Sequence, residues 1–113
     1  MKDIFIDLEN GAHSRTIDLT LTAIVSRLDS TWHDKVTCIT QEADSTLFYW
    51  SAPVEEVIEA RQKADLAAGL MPIVGWNNLV RDDFFEIDDV EFVAKDWTTA
   101  VVTQAMFLAH IAV

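Results

Sequence analysis

Carboxylates are the residues of this chain with the widest scope for chemistry, and two arrangements of them stand out. The first is Asp7-Leu8-Glu9. Acids at i and i+2 of an extended segment project to one face, where they could share a divalent cation. The second is the run Asp82-Asp83-Phe84-Phe85-Glu86-Ile87-Asp88-Asp89-Val90-Glu91, in which six of ten residues are acidic and none is basic. Acid alone would describe a solvated tail. Acid interleaved with Phe, Ile and Val describes an ordered strand or hairpin. Such an element would hold Asp82, Asp83, Glu86, Asp88, Asp89 and Glu91 as a fixed array of negative charge, able to attract a basic protein surface. Trp76 and Trp97 flank the run. Aromatic side chains beside acids make good interface anchors, so they join the carboxylates as the candidate partner-binding set. The alternative use of the same charges is to keep a solvated sheet edge from pairing with another chain.

Other chemistry finds little support. His13, His33 and His110 fall in unrelated segments, without the i,i+4 or His-x-Glu spacing of a zinc site. His110, on an apolar segment, is expected as a hydrogen-bonded core histidine. Cys38 alternates with Ile39 in a strand-like stretch and is expected in the core; as the one cysteine, it allows no disulfide within the chain. Gly11, Gly69 and Gly75 do not cluster into a phosphate-cradling loop. The acidic run lacks the Asp-x-Asp-x-Asp-Gly order of an EF-hand. No cofactor is implied, and no metal site is assigned.

The whole chain carries 19 acids against 8 bases, a formal net charge of −11 over 113 residues. Phosphate contacts need clustered Lys and Arg, so direct nucleic-acid binding is disfavoured. Adhesion to an anionic membrane surface is disfavoured for the same reason. Half of the residues are apolar, enough for a core in one domain spanning 1–113. Met1-Lys2-Asp3 leads into no long apolar stretch, which argues against a signal peptide and for a cytoplasmic protein. Trp97 to Val113 holds no Asp, Glu, Lys or Arg. Thr98, Thr99, Thr103, Gln104 and His110 lie within it, so a buried or partner-covered helix is expected rather than a membrane span.

The elements that must position these residues read as follows. Ile4, Ile6 and Leu8 alternate with Asp3, Phe5 and Asp7 and argue a strand that ends at the Asn10-Gly11 turn. Thr16 to Leu21 reads as a returning strand or as the first turns of a helix; Ile17, Leu21, Ile24 or Val25, Leu28 and Trp32 lie at helical spacing, and the helix is placed over 20–32 with the part before it open. Val36–Gln41 and Thr46–Trp50 form a hairpin across a polar turn at 42–45. Pro53 opens a helix that Gly69 ends. Residues 71–82 read as a loop, and 84–94 as one long strand or a tight hairpin pivoting at Asp88-Asp89. Asp96 or Thr98 caps a final helix to Ala112, although Thr99–Gln104 echoes the strand at 36–41. That helix is apolar nearly all round, so it is expected to be central or pressed against another subunit.

The stretch Ile4-Phe5-Ile6-Asp7-Leu8-Glu9-Asn10 resembles the first motif of the DEDD exonucleases, in which Asp-x-Glu binds metal, and the first strand of the PIN-like/NYN nucleases. The resemblance implies a small metal-dependent nuclease using Asp7 and Glu9. It covers seven residues, and the further acids such a site requires are not found at the end of the chain, where no acid follows His110. In size and charge the chain also looks like the broad class of phage anti-restriction and anti-CRISPR inhibitors and nuclease-immunity proteins.

These readings converge on an α+β fold, a mainly antiparallel sheet of four to five strands covered on one face by two to three helices. The leading function is that of a non-catalytic acidic interaction protein, of inhibitor or immunity type, whose carboxylates stand in for phosphates before a basic protein partner, such as one that binds nucleic acid. The alternatives are an assembly protein forming a homo-oligomer through its charge-free C-terminal helix, and the nuclease.

Overall fold

A computed structural model describes residues 14–65 and 68–112. The strand at 4–8, the Asn10-Gly11 turn, Asp7, Glu9 and His13 lie outside the described residues. The chain is α+β, with four helices and two sheets. In order, the elements are β1 (Arg15–Ile17), α1 (Leu21–Leu28), β2 (Cys38–Gln41), β3 (Thr46–Trp50), α2 (Val54–Lys63), α3 (Met71–Val74), a 3-10 turn at Trp76–Asn78, β4 (Leu79–Phe84), β5 (Glu86–Ile87), β6 (Val90–Ala94), β7 (Val102–Thr103) and α4 (Gln104–Ile111).

One sheet has the order β4-β3-β2-β7, antiparallel throughout. The other has the order β1-β6-β5, with β1 parallel to β6 and β5 antiparallel to it. The period-two pattern of the central hairpin sorts its side chains to two cores. Ile39, Leu47 and Tyr49 join Leu21, Ile24, Val25, Val93, Trp97, Val102 and Phe107. Cys38 and Trp50 join Ala52, Val57, Ala60 and Leu70 from the segment around α2 and α3. The four-stranded sheet is therefore covered on both faces, not on one.

Gln41 joins the sheets. Its amide is fully buried; it donates to Ser45 O (3.1 Å) and Phe92 O (3.0 Å) and accepts from Ala94 N (2.8 Å). Phe92 N, in turn, donates to Phe85 O between β4 and β5 (3.0 Å). The side chain thus takes the place of a neighbouring peptide along the edge of β6 where β5 has ended.

Several element ends differ from the sequence expectation. The helix over 53–69 stops at Lys63, with Pro53 as its N-cap. Ala64, in extended conformation, is its C-cap; beyond it Leu70 is buried beneath the sheet and donates its N–H to the Glu42 carboxylate. The expected loop at 71–82 carries α3, the 3-10 turn and most of β4. The final helix begins late. Val101 to Thr103 are β-branched and favour extension; Val102 and Thr103 pair with Ile39 and Cys38, and Thr103 caps α4 through its hydroxyl, which accepts from Met106 N. Asp96 caps a different helix, accepting from Leu21 N at 2.8 Å beside the Thr20 cap of α1. α4 is also not central. Phe107 is buried against Trp32 (ring centroids 5.6 Å apart), while Met106, Leu108 and Ile111 stay exposed. Among the described residues, no helix is long and apolar enough to cross a membrane.

Candidate functional site

The acidic run forms a bent ribbon. β4 pairs with β3, placing Asp82 opposite Phe48 and Asp83 opposite Leu47. The chain then passes the buried Phe85 and enters the β5–β6 hairpin, in which Glu86 pairs with Glu91 and Ile87 with Val90. Asp88 and Asp89 form the two-residue loop, at φ of 52° and 67°. Positive φ at both central positions is the signature of a type I′ turn, whose twist matches that of the strands. Asp tolerates this region because its short polar side chain can bond locally. The hairpin and its pivot are therefore as the sequence implied.

The carboxylates do not all face outward. Asp82, Glu86, Asp88 and Asp89 are exposed. Asp83 is half-buried and engaged: it accepts from Arg81 Nη2 at 2.9 Å and from Phe84 N at 2.8 Å. Arg81 also reaches Asp29 (3.3 Å) and lies over the Tyr49 ring, 4.3 Å from its centroid. Asp29 in turn accepts from the Tyr49 hydroxyl at 2.7 Å. Burial, reinforced by that bond to Asp29, pushes the Tyr49 phenol far above its ordinary pKa. Asp83 thus belongs to a network that pins β4 to β3 and to the end of α1. Glu91 is buried and accepts from Ser45 Oγ at 3.3 Å, so it drops out of the partner-facing set.

The two tryptophans also part company. Trp76 is 71% exposed on the 3-10 turn, whereas Trp97 is 3% exposed. Trp97 lies in the main core with the Arg61 guanidinium 5.9 Å from its ring centroid, so it is not a rim residue. Trp76 is at the opposite end of β4 from the β5–β6 hairpin, and the six residues of β4 span about 17 Å at the usual strand rise. Phe84 and Ile87, which sequence reasoning used only as marks of order, are 44% and 40% exposed. The exposed residues of the run are therefore Asp82, Phe84, Glu86, Ile87, Asp88 and Asp89. Strand alternation alone could not assign Phe84, because the chain bends between β4 and β5.

The remaining chemistry-bearing residues among those described lie away from the run. Cys38 is buried, and desolvation pushes its thiol up to about 11. His110 is exposed on α4 rather than in the core, since the helix starts later than expected and only Phe107 points inward. Arg61 is buried, donates to Gln41 O at 3.1 Å and lies 3.8 Å from Glu42. Burial lowers the Arg61 pKa and raises that of Glu42; the Leu70 N–H and Arg61 offset part of the Glu42 shift. Among the described residues, no group of three or more His, Cys, Asp or Glu is placed to hold a metal ion. Compared with models of protein families, with curated proteins and with solved structures, the chain matches none.

Proposed function

We propose that this protein is a non-catalytic binding module that presents the acidic β4–β5–β6 ribbon to a basic surface of a protein partner, in the manner of an inhibitor or immunity protein. The observation carrying this reading is that Asp82, Glu86, Asp88 and Asp89 are exposed together with Phe84 and Ile87 along one ordered stretch, the end of β4 and the β5–β6 hairpin. Carboxylates supply attraction and register, and the apolar pair supplies area that gains from desolvation.

The test compares the parent with a variant carrying Asp82→Asn, Glu86→Gln, Asp88→Asn and Asp89→Asn. Asn suits the loop because it accepts the positive φ of positions 88 and 89. Both proteins are immobilised and exposed to a lysate at low and high salt. A basic protein held by the parent at low salt, released at high salt and not held by the variant is the expected result. Equal retention by parent and folded variant would refute the reading.

A second reading, self-association, rests on α4. Met106, Leu108 and Ile111 are exposed on a helix without charged side chains. Sedimentation across a wide concentration range distinguishes it: a concentration-independent monomer excludes assembly through this helix.

A further inference from the structure

A second acidic surface lies between α2, a helix the sequence located, and α3, where it signalled only a loop. α3 packs beside α2, and the two helices leave a groove of about 260 Å³ lined by Glu56, Glu59, Ala60, Lys63, Ile73 and Val74. Its walls differ in chemistry. Ala60, Ile73 and Val74 are apolar, and Ile73 is 53% exposed. Glu56 and Glu59 stand on the α2 side. Lys63 is committed to Glu59 by an i,i+4 ion pair that holds the Glu59 carboxyl below its ordinary pKa. Glu56 has no ion-pair partner among the described residues, and Glu55 is exposed next to it. The groove therefore offers one apolar seat beside an uncompensated carboxylate. Trp76, the most exposed large apolar side chain described, follows Val74 by two residues.

The occupant follows from elimination and charge. A volume of about 260 Å³ is below the usual range of ~300–1,000 Å³ for ligand and cofactor pockets. A phosphate-bearing molecule would meet Glu55, Glu56 and Glu59. A second copy of the chain would bring a net charge of −11 to the same carboxylates. What remains is a protein segment carrying an aliphatic or aromatic side chain next to Lys or Arg.

We infer that the α2–α3 groove is a docking site for such a basic, apolar-anchored segment of a partner protein. The inference rests on the basic-partner reading but not on the hairpin, which is a separate surface. The apolar side chain sits between Ala60 and Ile73, and the neighbouring cation pairs with Glu56.

Methyl-detected NMR of the full chain tests it, because Ile73 reports the groove and Ile87 the hairpin. The probes are a short arginine-rich peptide containing leucines and the same peptide with serine in place of leucine. The leucine peptide is expected to shift the Ile73 methyl and to bind at least several-fold more tightly than the serine peptide. Glu56→Lys is expected to weaken it about tenfold by replacing attraction with repulsion. Glu56 is exposed, so the substitution leaves the fold in place, which the remaining methyl positions verify. The hairpin variant should keep the Ile73 response. If only Ile87 moves, the hairpin reading survives and the groove proposal falls. If Ile73 does not move, or moves equally in the Glu56→Lys variant, the groove proposal also falls.

Discussion

Replacing Gln41 by Leu should detach the ribbon that carries the exposed acids from the rest of the fold. The substitution nearly conserves volume but removes the amide that donates to Ser45 O and Phe92 O and accepts from Ala94 N. A net loss of about 1 kcal/mol for each of three hydrogen bonds is the lower expectation. Ala94 is fully buried, so its N–H is left without water as well, which adds about 1–3 kcal/mol. The more apolar leucine returns about 1 kcal/mol. The balance is a destabilisation of about 3–5 kcal/mol, against a total of ~5–15 kcal/mol for a domain of this kind. At about 4 °C per kcal/mol, Tm should fall by roughly 12–20 °C. Urea unfolding with an unchanged m value measures the energy, and hydrogen exchange of the Ala94 amide places it. A loss below about 1 kcal/mol, or an Ala94 amide as protected as in the parent, would refute the view that Gln41 completes the β6 edge.

Three further outcomes follow from buried groups. Gly69→Ala should cost about 2–3 kcal/mol in urea unfolding, because position 69 has φ +77° and an added Cβ would lie 2.6 Å from Glu42 Oε2; a neutral result would mean that Glu42 is not held there. Cys38 should resist a thiol reagent at pH 8 in the native protein and react at once in denaturant, since burial pushes its thiol up to about 11. Burial raises the Glu42 carboxyl above its ordinary pKa, so the folded state binds its proton more tightly than the unfolded chain. Its contribution is present in full below the unfolded pKa and declines as pH rises through the folded one; the stability of the parent relative to Glu42→Gln should therefore fall with rising pH above about 4.5. A difference that rises with pH would contradict this.

What the sequence made legible is what local chemistry determines. Alternation located Cys38–Gln41 and Thr46–Trp50, the Pro53 boundary located the start of α2, and two adjacent Asp residues between apolar pairs located the β5–β6 turn. What it hid depends on distant partners. Nothing local to Gln41 marks it as the residue that joins two sheets, because its partners are 51 and 53 residues away. Asp96 has an N-cap's side chain, but the helix it caps lies 75 residues earlier. Trp97 and Glu91 read as surface beside so much acid; each is buried by packing that no periodicity of the run encodes. Met71–Val74 is too short for a helical period to show, so the α3 wall of the α2–α3 groove had no signal.

The two uses of the acidic ribbon, docking and edge protection, make opposite demands on Phe84 and Ile87. A sheet edge is guarded by charge, and exposed large apolar groups beside that charge work against the guard. Here both kinds are exposed together: Phe84 and Ile87 alternate with Asp82, Glu86 and Asp88 along the ribbon. A docking surface needs this mixture, since rim charges govern encounter and desolvated apolar groups govern residence. Order matters as well. Fixing a flexible ten-residue acidic tail on binding would cost roughly 10–20 kcal/mol of backbone entropy, a cost the preformed hairpin does not incur. The combined substitution Phe84→Ser and Ile87→Thr separates the two uses. Under docking, the variant keeps its fold and association rate, and its dissociation from the captured partner accelerates by tenfold or more, about 1.4 kcal/mol or above. Under edge protection alone, the variant becomes more soluble and binding is unaltered. An unchanged dissociation rate would therefore remove Phe84 and Ile87 from the interface and leave the carboxylates as a guard for the β5 edge.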